Sequence, residues 1–266
     1  MYKPNPAPND FRVVPMPHYA TGSRWRTEAM RSYSQPILLW FTKGQGRITV
    51  SGVTRGYGPH NAIFIPSGTM HGFDMLGQVH GSVVYFPYGA DIDLPVDPVH
   101  LRFREASQHA ELSALIDNIH RESERQLSAQ DQALLHYGGL LSVWLRRQLE
   151  LSPESEDVLD ASRRLAAAYS ALVERDFHLS KSVSDYASDL GITPTHLSRV
   201  CNSACGRPAS IILAERKHFE ARRMLAETKT PIKDIAEHLG FTSAAYFTRA
   251  FQNHAGKTPS AFRKGR

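Results

Sequence analysis

The sequence predicts an α+β protein in which an N-terminal β-barrel or jelly roll and a helical pair precede a C-terminal all-α domain. Two observations support this fold class. Between residues 37 and 87, short runs rich in β-branched and aromatic residues are separated by Gly-rich turns, which is typical of a small all-β domain. From about Ser107 onward the apolar residues recur at helical spacing, and one helical pattern occurs twice.

These changes in pattern divide the chain into four parts. We expect a β domain over residues 1–104, a helical pair over 105–150, a linker over 151–158 and a helical domain over 159–266. The linker, LSPESEDV, is polar, acidic and Pro-containing. A chain of 266 residues is long enough for two domains that each have a core.

The β domain begins with a polar, Pro-rich arm over residues 1–35, which contains one short strand pattern at Phe11–Val14. The later strand patterns are ILLWFT, GRITV, AIFI and GSVVYF. The block GPHNAIFIPSGTMHGF resembles the second half of the cupin motif, in which a Pro-x-Gly-x-x-His turn directs a histidine into the barrel. Here that turn consists of Pro66, Gly68 and His71.

The resemblance to metal-dependent cupins is incomplete. Their first motif supplies an H-x-H pair and a Glu, because a divalent metal needs three or four converging ligands. The corresponding stretch, FTKGQGRITV, contains neither His nor Glu. Cys201 and Cys205 have no further ligands at the spacing of a zinc site and are expected at buried helix positions. We therefore expect no metal and no cofactor.

A barrel of this size can hold one small molecule. Aromatic and histidine side chains on the strands could bind it, and arginines of the arm could pair with a carboxylate. The alternative is that Trp40 and Tyr85 are core residues, because a slip of one residue in register reverses every facing. The candidate effector-binding residues are Arg24, Trp40, His71, His80 and Tyr85.

The helical pair is predicted over residues 110–125 and 129–149. The second helix has an apolar stripe that must be buried. It can pack on its own β domain or form a dimer interface. The stripe comprises Leu134, Leu135, Leu141, Trp144, Leu145 and Leu149.

The C-terminal domain contains an internal repeat. YASDLGIT at 186–193 matches IAEHLGFT at 235–242, and HLSRVC at 196–201 matches YFTRAF at 246–251. The second pair of matching segments lies one residue further apart along the chain than the first pair. The turn in the second copy is therefore longer by one residue. Each copy consists of two short helical patterns joined by a Gly-containing turn, which is the helix-turn-helix arrangement.

The second copy resembles a known family. IAEHLGF, YFTRAF and TPSAFR, with Gly256 before the last of them, resemble the C-terminal motif of AraC/XylS-type transcriptional regulators. The alternative is an ordinary amphipathic helix pair in another α domain. The resemblance implies two helix-turn-helix units joined by one helix, here residues 209–227. It also implies double-stranded DNA and RNA polymerase as partners, a homodimer formed by the helical pair, and activation of transcription in response to a small-molecule effector.

The DNA-facing positions follow from helical geometry, because the second helix of each unit lies in the major groove. The expected buried stripes are Leu197, Val200 and Cys201 in the first unit and Phe247, Ala250 and Phe251 in the second. Each residue outside these stripes could instead be an ordinary solvent-exposed residue that does not contact DNA. The candidate DNA-binding residues are Thr195, Ser198, Arg199, Ser243, Ala244, Ala245, Tyr246 and Arg249.

The charge distribution supports a polyanionic partner. The chain has a net charge of +5. Residues 1–154 are neutral, so the whole excess lies in residues 155–266. Candidates for phosphate attraction are Lys181, Arg216, Lys217, Arg222, Arg223, Lys229 and Lys233.

No apolar run of 18 residues occurs, and the N-terminus lacks a signal-peptide core. We therefore expect a cytoplasmic DNA-binding regulator with no membrane partner, and not an enzyme. Two alternatives remain open at this point. One is a cupin-type enzyme with a helical appendage, and the other is a DNA-binding protein that responds to no effector.

Overall fold

The structure, a computed structural model, describes residues 11–16, 29–75, 77–125, 127–151 and 160–265. They form an N-terminal β domain with two helices packed on it and an all-α C-terminal domain, which confirms the α+β class. The strands are β1 (Arg12–Pro15), β2 (Ile37–Lys43), β3 (Gly46–Val50), β4 (Val53–Tyr57), β5 (Asn61–Ile65), β6 (His71–Met75), β7 (His80–Tyr85) and β8 (Val99–Arg102). The helices are α1 (Ala106–Ser123), α2 (Gln130–Leu151), α3 (Ala161–Asp176), α4 (Val183–Asp189), α5 (Pro194–Cys205), α6 (Ala209–Glu227), α7 (Ile232–His238), α8 (Ala244–Ala255) and α9 (Pro259–Lys264).

The strands form two antiparallel sheets. One has five strands in the order β1-β7-β2-β5-β8, and the other has three in the order β4-β3-β6. Apolar side chains from both sheets share one core, so the sheets pack face to face. Over the described residues the strands do not close into a single barrel.

Strand β2 is a continuous run of apolar residues, and its position in the fold explains this pattern. Alternate side chains of a strand point to opposite faces. Ile37, Leu39 and Phe41 lie in the core between the sheets, whereas Leu38 and Trp40 lie in the core beneath α1 and α2. The strand is therefore covered on both faces, and its apolar residues do not alternate with polar ones.

The helical pair covers the outer face of the five-stranded sheet. Four residues of the predicted apolar stripe, Leu134, Leu141, Trp144 and Leu145, are buried in the core that α1 and α2 share with this sheet. These four residues therefore pack on their own β domain, which is one of the two alternatives that the sequence left open. Leu135 lies on a different face of α2 and is 43% exposed.

The turn between β3 and β4 contacts the C-terminal domain. Val50 pairs with Val53, so the hairpin has a two-residue turn, and both turn residues, Ser51 and Gly52, have positive φ. A Cβ at Gly52 would lie 2.7 Å from the carbonyl oxygen of Ala166 in α3. The turn thus lies directly against the first helix of the C-terminal domain.

The C-terminal domain contains two helix-turn-helix units, α4–α5 and α7–α8, each with its own apolar core. Helix α6 joins them over the predicted residues, Ala209–Glu227. Helix α3 begins at Ala161, because the Asp160 side chain caps it by accepting a hydrogen bond from the Arg163 backbone N–H at 2.7 Å. The predicted linker lies outside the described residues, apart from Leu151 at the end of α2.

Candidate nucleic-acid interface

The second helix of each unit, α5 or α8, has the same kind of N-terminal cap. The Thr193 hydroxyl accepts a hydrogen bond from the His196 backbone N–H at 3.2 Å, and the Ser243 hydroxyl accepts one from Tyr246 at 3.1 Å. Both helices end at a glycine in the left-handed region, Gly206 and Gly256. Caps and end glycines of this kind are local signals of where a helix begins and ends.

In the first unit the candidate residues lie on the surface. Thr195 and Arg199 of α5 are exposed and Ser198 is half-buried, while Leu197 and Cys201 face the core. An open groove runs along this surface, and Thr195 and Arg199 line it together with Ser162 of α3. Sequence reasoning missed Ser162, because its position beside α5 depends on how α3 packs.

In the second unit the exposed set is smaller than predicted. Ala245, Tyr246 and Arg249 are exposed, and the Tyr246 side chain is 53% accessible. Two predictions need correction: Ala244 is half-buried against the core of its own unit, and Ala250 is half-buried where it was expected to be buried. The Ser243 hydroxyl caps α8, so its bonding capacity is partly used within the protein.

Arg199 and Arg249 occupy equivalent places in the repeat. Both are exposed, and neither forms an ion pair with any residue that the structure describes. An exposed guanidinium on such a helix can donate two hydrogen bonds to guanine O6 and N7 or contact a phosphate. The fold thus presents two equivalent exposed guanidinium groups, one on each unit.

Most of the basic residues proposed for phosphate attraction are engaged inside the domain. Arg216 is buried, and two of its nitrogens donate to the Glu174 carboxylate at 2.6 and 3.0 Å. Arg223 pairs with Glu220, and Lys181 donates to two aspartates, Asp176 and Asp189.

Two further candidates are also engaged, since Lys217 donates to the Leu179 carbonyl and Arg222 is buried. Lys229 and Lys233 are exposed and form no ion pair within the described residues. These two lysines are therefore the better candidates for phosphate contacts.

A histidine pair joins the connecting helix to the second recognition helix. The His218 ring of α6 stacks on the His254 ring of α8, with centroids 4.3 Å apart and planes 8° from parallel. Burial, and then the neighbouring His254 and Arg222, lowers the pKa of His218 to about 3. Both rings are therefore accommodated as neutral groups, since protonation would place like charges in contact.

This pair predicts acid sensitivity of the C-terminal domain. His218 has a folded-state pKa of about 3, below the ordinary value of 6.5, so below pH 6.5 the unfolded state binds the proton more readily. Its contribution to stability is complete above pH 6.5 and decreases between pH 6.5 and 3, by about 1.4 kcal/mol per pH unit.

Thermal unfolding at pH 7.5, 6.5 and 5.5 measures this loss. The substitution His218→Gln should reduce the pH dependence, whereas His196→Gln, at an exposed histidine, should leave it unchanged. Equal pH dependence in the His218→Gln variant and the unmodified protein would contradict the assignment.

The candidate effector-binding residues do not form one group. His71 and Tyr85 are buried, and both contact Tyr33, whose ring centroid lies 5.2 Å from the first and 5.9 Å from the second. Trp40 instead faces the helical pair, where its indole N–H donates to the Ser113 hydroxyl, and His80 is exposed at the start of β7. Arg24 lies outside the described residues.

Arg31 completes the group around His71 and defines what we call the Arg31–His71 centre, with Tyr33 and Tyr85. Both Arg31 and His71 have no exposed surface. The Arg31 Nε donates to the Tyr33 hydroxyl at 2.9 Å. Burial, and then the Arg31 charge, lowers the pKa of His71 to about 3, so the imidazole is neutral at pH 7. The His71 Nδ1 lies 2.9 Å from the Thr69 carbonyl, and its Nε2 has no hydrogen-bond partner in the described part of the chain.

No cluster of three or more His, Cys, Asp or Glu side chains with metal-binding geometry occurs among the residues described. Nor does any helix in the described ranges combine the length and apolarity needed to cross a bilayer.

The fold and its two capped, arginine-bearing helices define a DNA-binding protein of the double helix-turn-helix class. Residues 186–265 match the family model of a helix-turn-helix domain. The probable transcription factor PqrA of Proteus vulgaris is 34% identical to this chain over 82 residues, which cover 31% of this chain and 67% of PqrA. The chain belongs to the AraC/XylS-type family of transcriptional regulators, which confirms the predicted resemblance.

Two further comparisons extend beyond this domain. The arabinose operon regulatory protein of Salmonella typhimurium is 26% identical over 132 residues, which cover 50% of this chain and 46% of that protein. The chain spans less than half the length of several curated relatives that it matches. A crystal structure of an apo ToxT variant from Vibrio cholerae covers 96% of this chain and 98% of its own, at 16% identity and a TM-score of 0.46.

Proposed function

We propose that this chain is a sequence-specific transcriptional regulator that inserts α5 and α8 into successive major grooves of double-stranded DNA. The observation that carries the proposal is the equivalence of Arg199 and Arg249. Both are exposed on capped recognition helices, and α6 joins their units through the core of the domain. Such a protein would act in the cytoplasm, where it would contact RNA polymerase. Family membership favours activation over repression.

Selection of bound sequences from randomised duplex DNA tests this function. We expect two short conserved half-sites whose centres lie about 10 base pairs apart, because adjacent major grooves on one face are one helical turn apart. The spacer between them should be variable in sequence but constant in length. Enrichment of a single short site, or of no sequence at all, would contradict the proposal.

We further propose that the β domain is a cupin-like sensor and that the Arg31–His71 centre is its effector-binding site. The buried Arg31 guanidinium can donate to an anionic ligand such as a carboxylate. The Nε2 of neutral His71, whose Nδ1–H faces the Thr69 carbonyl, can accept a hydrogen bond from a hydroxyl or amide group of the same ligand. The Tyr33 and Tyr85 rings lie beside this pair, with their centroids 5.9 Å apart.

A thermal-shift screen of small carboxylic acids and their amides tests the effector proposal. Stabilisation should require the carboxylate and should disappear in the His71→Gln variant. Stabilisation by the amides alone would exclude an anionic effector.

Dimerisation is proposed through the face of α2 that the β domain leaves uncovered. Leu135, Leu140 and Val143 are exposed there, at 43, 56 and 38%. Gly139 lies among them, and a Cβ at this position would meet no atom within 4 Å, so a second helix can approach closely. A second copy of α2 matches this face because a two-fold axis brings identical apolar surfaces together.

Charge on this face should therefore separate the subunits. We expect the double substitution Leu135→Glu and Val143→Glu to convert a dimer into a monomer in light scattering, because two carboxylates would be buried against their own copies. Leu127→Glu is the matched control, since Leu127 is also exposed but lies outside α2. A dimer that survives the double substitution would place the interface elsewhere.

A further inference from the structure

Two extended segments of the β domain meet at the boundary with the C-terminal domain. Residues 29–33 run alongside residues 69–71, and Arg31 and His71 form an antiparallel bridge between them. The Arg31 backbone N–H donates to the His71 carbonyl at 2.9 Å, and the His71 N–H donates to the Arg31 carbonyl at 2.7 Å. These two hydrogen bonds make the segments move together.

Neighbouring side chains on these segments lie in different cores. The Arg31 and His71 side chains belong to the proposed effector-binding centre of the β domain. Their preceding neighbours, Met30 and Met70, are 1% and 2% exposed and belong to the core of the first helix-turn-helix unit. This arrangement follows from the alternation of side chains in extended chain. Each segment thus carries one residue for the effector site and one methionine for the DNA-binding unit.

Polar contacts hold the same segment to two helices of the C-terminal domain. The Ser32 hydroxyl donates to the Glu174 Oε1 of α3 at 2.6 Å. The Met30 backbone lies beside the Glu215 carboxylate of α6, where it favours the charged form of that carboxylate. Glu174 is in turn held by Arg216 of α6. A displacement of residues 30–32 would therefore reach both helices that support the first unit.

Among the residues that the structure describes, no side chain of the β domain packs in the core of the second helix-turn-helix unit. Its core cluster comprises residues of the C-terminal domain alone, over the parts of the chain that the structure describes. An influence of the β domain through this boundary can reach the second unit by way of α6, of Phe177, which packs against both cores, and of Ser180, whose hydroxyl donates to the Gly240 carbonyl at 3.1 Å.

We propose that Met30 and Met70 are the coupling residues through which the Arg31–His71 centre regulates the first helix-turn-helix unit. A ligand that binds Arg31 and His71 shifts the bridged pair as one body, and the two methionines transmit that shift to α3, α5 and α6. Methionine suits this role because its flexible side chain keeps contact while a surface moves. The identity of the centre as an effector site rests on the proposed function, but the mechanical link itself does not.

Hydrogen exchange of the full-length protein tests the link without DNA or effector. His71→Gln perturbs the centre, and we expect it to accelerate amide exchange in α3 and α5 by roughly tenfold while α7 and α8 change less than about twofold. In the Met30→Ala, Met70→Ala background, the same His71→Gln change should have less than about a twofold effect on α3 and α5. A double leucine variant, Met30→Leu and Met70→Leu, keeps the apolar contact and should restore the response.

Two controls separate coupling from loss of structure. Met16 is also fully buried, but in the core between the sheets, so Met16→Ala should leave the response of α3 and α5 to His71→Gln intact. If the double alanine variant fails to fold, hydrogen exchange of the double leucine variant can be compared with that of Ser32→Ala. This comparison still tests the contact between the β domain and the C-terminal domain. Equal effects of His71→Gln in the native and alanine backgrounds would overturn the proposal. A failure to find any effector would refute the sensor function but leave this exchange result unchanged.

Discussion

Replacement of Glu174 by alanine should lower the free energy of unfolding by about 3–5 kcal/mol, the usual cost of removing one partner from a buried ion pair. The Arg216 side chain is only 5% exposed, and its guanidinium lies 3.8 Å from the centroid of the Phe177 ring. Without Glu174 it would retain Glu220 as its remaining carboxylate partner. We therefore expect a value near the lower end of this range.

Urea unfolding followed by circular dichroism measures this loss. The matched control is Asp93→Ala, which removes an ion pair with Arg146 whose side chains are 77% and 54% exposed and should cost less than about 1 kcal/mol. A loss in Glu174→Ala no larger than in the control would show that Arg216 gains solvent or other partners when Glu174 is absent.

The second large effect concerns DNA recognition. We expect Arg199→Ala to relax base preference over a few base pairs of one half-site, with a loss of about 1–3 kcal/mol of discrimination. Arg199 lies among hydrogen-bonding neighbours, Thr195 and Ser198. Arg249 has Ala245 and Tyr246 beside it. Arg249→Ala should therefore weaken binding to all sequences alike and reduce the slope of log affinity against log salt by about one.

Binding selections with both variants at two salt concentrations distinguish these roles. Arg104→Ala serves as the control, because Arg104 is exposed on the β domain, far along the chain from either unit. If Arg249→Ala changes base preference and Arg199→Ala does not, the assignment of the two helices is reversed.

The DNA-binding domain could be predicted from sequence because its signals are local. The caps at Thr193 and Ser243 and the end glycines at Gly206 and Gly256 each depend on residues within one turn of helix. The repeat then confirmed each signal by its second copy. The ion pairs could not be predicted, since Arg216 meets Glu174 only after α3 and α6 have packed.

The effector centre was only partly predictable. Trp40 and Tyr85 were both candidates, but their side chains lie on opposite faces of the five-stranded sheet, and a strand covered on both faces shows no alternation that would separate them. The helical pair posed the same difficulty, since α2 is apolar on the face toward the sheet and also at Leu135 and Leu140. Sequence alone does not show which of two apolar faces is covered.

The length of α6 has a consequence for how regulated promoters can change. Its 19 helical residues span about 28 Å at 1.5 Å per residue, and a helix cannot stretch to follow its target. Each base pair inserted between the half-sites would rotate one of them by about 34° around the duplex. Base substitutions in the spacer between the half-sites should therefore be tolerated over evolutionary time. A single insertion or deletion in the spacer should abolish regulation at once. Genomic targets of this protein are then found by searching for conserved distance as much as for conserved sequence.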